Sequence, residues 1–117
     1  MSSSRLRVAT DPSLALVVRI FVGSVAERWA IPEPVRDDLR LAASELFSGA
    51  VEAGDNDEVT FDLATSDSGF ELRAEEVHAV AQGRPVPESW AARFDLIRAL
   101  FPDAQIGDTV LIRVPAG

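Results

Sequence analysis

The chain has 117 residues, 47% of them hydrophobic and 26% charged, the size and balance of one globular domain rather than a disordered polymer. It contains no cysteine and one histidine, His78, which excludes disulfide frameworks, thiolate nucleophiles and the usual zinc clusters; a lone histidine reads as an ordinary structural residue. The formal net charge of −8 repels phosphate backbones and anionic bilayers, so neither nucleic acid nor a membrane surface is an expected partner.

All 11 basic residues are arginine, which removes P-loop and Schiff-base lysine chemistry and points to a GC-rich bacterial genome. No apolar run reaches the length of a membrane span, and Met1 to Arg7 carry no signal-peptide core. A cytoplasmic protein is the expectation.

Arg5-Leu6-Arg7-Val8-Ala9 alternates polar and apolar residues and predicts a short half-buried strand. Asp11-Pro12 then predicts a helix start, with Asp11 as N-cap and Pro12 in the first helical position. The helix that follows places Leu14, Val17, Val18, Phe21, Val25 and Trp29 on one face, at spacings of three and four. Leu16, Ile20 and Val22 lie beyond that face; a helix apolar nearly all round in a small domain predicts a partner or a dimer.

Ile31-Pro32-Glu33-Pro34 ends this helix, and Pro34 opens a second one. Its stripe is Val35, Leu39, Ala42, Leu46 and Ala50, extended by Ala53, and Gly54 stops it. Val59 to Ala64 and Phe70 to Ala74 alternate as the two arms of a hairpin around Ser66 to Gly69. Gln82 to Pro87 reads as a loop, and Trp90 to Phe101 as a third helix burying Phe94, Ile97, Leu100 and Phe101. Gln105 to Val114 is strand material with a turn at Gly107-Asp108. The order of strand, two helices, two strands, helix and strand predicts one α+β domain over residues 1–117. Its expected form is a two-layer sandwich, a mostly antiparallel sheet with three helices on one face.

The second helix carries a familiar pattern. Asp37-Asp38-Leu39-Arg40-Leu41-Ala42-Ala43-Ser44-Glu45-Leu46, continued by Gly49-Ala50-Val51 and Gly54, resembles the N-box helix of the anti-sigma-factor serine/threonine kinases, a bacterial branch of the GHKL ATPases. That family reads roughly D-D-L-x-L-A-x-S-E-L-x-x-N-A-V-x-H-G there. Leu96 to Leu100 and Gly107 to Pro115 are similar to its last helix and last strand, so the resemblance spans nearly the whole chain.

The departures concern the nucleotide. The family asparagine that coordinates the ATP-bound magnesium is matched by Gly49, which has no ligand to offer. Glu45 matches the family's catalytic base; without a substrate in hydrogen-bond reach it reads as a solvated helix residue or a vestige. Where the family has D-x-G-x-G after the hairpin to bind adenine, this chain has Ala74-Glu75-Glu76-Val77-His78, without a glycine. Where it has a G-x-G-L phosphate box, Ala91-Ala92-Arg93-Phe94 stands, with side chains that fill the space. The intervening lid is very short. All three boxes are altered, so Gly49, Glu75, Glu76, Ala91 and Arg93 mark degraded positions, and neither ATP nor magnesium is an expected cofactor.

Trp29 and Trp90 read as core residues, Trp90 standing at the mouth of the former pocket where it would plug it. Glu75-Glu76 with Asp67 and Glu71 read as a solvated strand edge, and Asp55 to Glu58 as a turn rather than a calcium loop. The resemblance implies a non-catalytic regulatory module that contacts a sigma factor, an anti-sigma antagonist or a related regulator, with homodimerisation through the sheet edge and first helix. Two alternatives remain: an ATP-dependent protein kinase with an altered site using Glu45, and an inactive half of a heterodimer with an intact kinase.

Overall fold

The computed structural model describes residues 2–54, 56–75, 88–107 and 109–115. Strand β1 (Ser2–Ala9) leads through a single 3-10 turn at Pro12–Leu14 into helix α1 (Ala15–Arg28), and α2 (Glu33–Ala53) follows. The hairpin β2 (Glu58–Ser66) and β3 (Gly69–Glu75) precedes α3 (Glu88–Leu100), a short β4 (Gln105–Ile106) and β5 (Val110–Pro115). The strands form one sheet in the order β1-β2-β3-β5-β4, and every neighbouring pair is antiparallel. The result is an α+β fold of a five-stranded antiparallel sheet with three helices, as the element order predicts.

Register assigns the two faces of the sheet. Leu6 pairs with Phe61, which pairs with Ala74, and Ala74 with Val110; Leu63 pairs with Leu72, and Leu72 with Ile112. These side chains share one face and join the buried residues of the helices in a single core that includes Val18, Val22, Leu39, Leu46, Phe47 and Ile97. The alternate positions make a polar face. There Arg5 pairs with Asp62 at 2.6 Å, Arg7 with Glu58 at 3.1 Å, and Arg113 with Glu71 at 3.3 Å.

Local signals place the helix ends. The Asp11 carboxylate accepts from the Ser13 amide at 2.9 Å and from the Ser13 hydroxyl at 2.8 Å, which caps the turn entering α1. These two bonds, the backbone one first, hold the Asp11 pKa below its ordinary value. Helix α2 ends at Gly54, whose φ of 65° is left-handed backbone that glycine adopts without strain.

Three expectations change. In α1 the buried stripe is Val18, Val22, Gly23 and Ala26, while Leu14, Phe21, Val25 and Trp29 are half-buried and Val17 is exposed. The face is rotated because a helix apolar on every side gives no phase, and packing on α2 selects it. At Gly23 a Cβ would run into Arg40 Nε, so the glycine lets the second helix's side chain lie against the first. In α3, Trp90, Phe94 and Ile97 are buried but Leu100 and Phe101 only half-buried. Strand β3 is central rather than an edge, so Glu71 and Glu75 sit on its polar face, Glu71 paired with Arg113 of β5 and Glu75 opposite Thr60 of β2. The loop expected over residues 82–87 and the positions Asp55, Glu76, His78 and Asp108 lie outside the described residues.

Candidate functional site

The seam between α2 and α3 collects the sequence-derived positions. Along α2, Glu45, Gly49 and Glu52 recur at spacings of four and three, which puts them on one side of the helix. Gly49 is buried, and a Cβ built on it would come within 2.6 Å of the Trp90 ring and 2.7 Å of a second atom of the same ring. The indole is 2% exposed and lies directly on the Gly49 backbone. Phe94, one turn later, supports it with ring centroids 5.2 Å apart.

Arg93 completes the seam. Its Nε lies 3.5 Å from Glu45 Oε2 and its Nη2 lies 3.0 Å from Glu52 Oε1, so one guanidinium bridges two carboxylates two turns apart. The same guanidinium carbon stands 5.9 Å from the centre of the Trp90 ring. With a side chain only 13% exposed, Arg93 makes these contacts partly out of water, where charge pairs are screened less than on the open surface.

The other two positions are placed elsewhere. Ala91 is exposed and makes no part of the seam. Glu75 ends β3 on the polar face of the sheet, paired across to Thr60, and lies beside Arg5, Asp62 and Arg73 rather than near Gly49. The structure therefore brings together Glu45, Gly49 and Arg93 but neither Ala91 nor Glu75. Glu52 joins the site without having been singled out from the sequence; its place seven residues after Glu45 on one helix face is the signal that reveals it.

Position 49 has no room for a side chain in this arrangement. An asparagine-sized ligand at position 49 would overlap the indole, whose rigid ring has no flexible end to withdraw. The carboxylate available, Glu45, is held in an ion pair with Arg93, and phosphates entering the seam would face Glu45 and Glu52 together.

A second feature lies on α1. Leu16 is 60% exposed, Ile20 57% and Val17 42%, three large aliphatic side chains within five residues. Leu16 and Ile20 line a shallow groove of about 420 Å³ with Arg19, Gly23, Ser24 and Arg40. Among the described residues no helix is long and apolar enough to cross a membrane. Comparison with protein-family models and with curated proteins finds no match for the chain.

Proposed function

We propose that the chain is a non-catalytic regulatory binding module with the architecture of the anti-sigma-factor kinases, acting in the cytoplasm through contact with a sigma factor or one of its regulators. The observation that carries this reading is the Trp90 indole seated on Gly49. It takes the room that a magnesium ligand and its phosphate would need, at the position where the family resemblance puts that ligand. The Arg93 bridge to Glu45 adds to it, because a carboxylate held against an arginine is not free to reach a substrate hydroxyl. Without nucleotide chemistry, what remains is a surface, and the exposed Leu16, Val17 and Ile20 of α1 are the apolar contact it offers, to a regulator or to a second copy.

The test is thermal unfolding with and without millimolar Mg·ATP and Mg·ADP. A native-state ligand at about 100 times its dissociation constant adds about 2.7 kcal/mol, a shift of several degrees for a domain of this size. The expected result is no shift with either nucleotide. A magnesium-dependent rise would overturn the reading in favour of a working kinase, and a phosphorylation assay of Glu45→Gln would follow.

A further inference from the structure

Helix α3 packs more extensively on α2 than on any other element. Phe94 and Ile97, both buried, would hold an amphipathic helix there without further specification. Trp90 and Arg93 add something more selective. One turn of α3 presents a flat ring and a cation; the facing two turns of α2 present a glycine with room for a ring and carboxylates on either side of it. Glu45 and Glu52 stand about 10 Å apart along the helix, and a single guanidinium between them pairs with both, offsetting one of their two charges. This ring-and-cation pair meets α2 as a bound ligand would.

We infer that Trp90 and Arg93 act as a tethered ligand that latches the first turns of α3 onto α2. The helix has a closed position, with the ring on Gly49 and both carboxylates paired. It also has an open one, in which the strip Glu45–Gly49–Glu52 is bare. The latch and the apolar packing are separable: Phe94 and Ile97 keep α3 on the core, while Trp90 and Arg93 decide how often its beginning lifts. The inference rests on the reading of this seam as a filled site rather than a working one.

Amide hydrogen exchange resolved along the chain tests it, in the wild type and in Arg93→Met, Glu45→Gln/Glu52→Gln and the triple variant. Arg93→Met keeps the apolar stem of the side chain and removes its charge. Losing a charge-assisted bridge speeds local opening about tenfold. The first turns of α3 are therefore expected to exchange about tenfold faster in Arg93→Met, with β2 and β3 unchanged. The carboxylate double variant should match it, and the triple variant should add nothing further, as members of one unit behave. Raising salt should speed the same amides in the wild type only. The inference is overturned if α3 exchanges in step with β2 and β3 in every variant, or if the arginine and carboxylate effects simply add. Should Arg93→Met not fold, Glu52→Gln alone, at a carboxylate 61% exposed, reads out the same change. Slower α3 exchange on adding Mg·ATP would overturn the proposed function while leaving the latch standing, and an additive variant set with no nucleotide effect would do the reverse.

Discussion

At Ala30 the backbone takes a φ of 58°, a left-handed conformation that costs an L-residue with a Cβ about 1–2 kcal/mol. The geometry follows from how α1 ends. The Ile31 amide reaches back to the Ala26 carbonyl at 3.0 Å and the Ala30 amide to the Glu27 carbonyl at 3.0 Å, the paired bonds of a Schellman stop, where glycine is the usual residue. Ala30→Gly should therefore raise stability by about 1 kcal/mol, read as a higher denaturation midpoint at unchanged m-value. A fall would mean that the entropy of the unfolded glycine outweighs the strain relieved. Asp11 makes a second prediction at this scale. Folding lowers its pKa through the bonds from Ser13, so the folded chain keeps the carboxylate charged to lower pH than the unfolded chain does. The stabilisation is complete above the ordinary carboxylate range near pH 4 and disappears as pH falls through the lower folded value. The gap in unfolding midpoint between wild type and Asp11→Ala should stay constant from about pH 6 to 8 and narrow in acid. A gap that persists unchanged at about pH 2 would assign the cap to the neutral carboxyl rather than to its charge.

Among the elements, α2 and α3 meet most tightly at Gly49, where a single methyl has no room. Gly49→Ala pushes a Cβ to 2.6 Å from the indole, and overpacking of this kind costs about 1–3 kcal/mol, more than the helix propensity gained from alanine returns. The expected outcome is a net loss of stability in chemical denaturation. A gain would show the indole to be free to move aside. How far such contacts are legible in the sequence differs by element. In α2 the middle of the expected stripe, Leu39, Ala42, Leu46 and Ala50, is buried, while Val35 and Ala53 at its ends are half-buried and the buried Ala43 and Phe47 widen it beyond the expected residues. In helix α1, Leu16, Val17, Val18, Ile20, Phe21 and Val22 leave every face apolar, and only the partner helix decides which side is inside. The strands read well in position because alternation survives in each. Their neighbours do not, since the central place of β3 depends on β5 pairing with it from 42 residues away between Glu71 and Arg113. The seam is half legible. Gly49 and Arg93 stand out as departures from a family pattern, but that Arg93 would reach both Glu45 and Glu52 is set by how two helices distant in sequence are docked.

Over the whole molecule, the polar and apolar surfaces are unevenly distributed. The open side of the sheet is a lattice of alternating charges in which Arg5 pairs with Asp62 and Arg113 with Glu71 across strands and Arg73 with Glu71 along β3, and the Arg5 guanidinium pKa is raised chiefly by its hydrogen bond to Asp62. Exposed pairs of this kind add little to stability and make a poor hydrophobic contact. The excess negative charge of −8 disfavours unspecific association between copies. Against that background the aliphatic residues of α1 stand out, because Leu16 and Ile20 are one turn apart and more than half exposed, and their burial in the core contributes little. Replacing both with serine should leave the unfolding free energy within about 0.5 kcal/mol of the wild type, as substitutions on a free surface do. The same variant should lose whatever association the wild type shows in sedimentation, with itself or with a regulator added to it. The two readouts separate the explanations. A loss of about 2–5 kcal/mol would place Leu16 and Ile20 inside the fold and remove the contact surface from the proposal. Unchanged stability with unchanged association would move the surface elsewhere, to the edge of β1. Unchanged stability with lost association would fix α1 as the face through which a domain with a filled site acts on another protein.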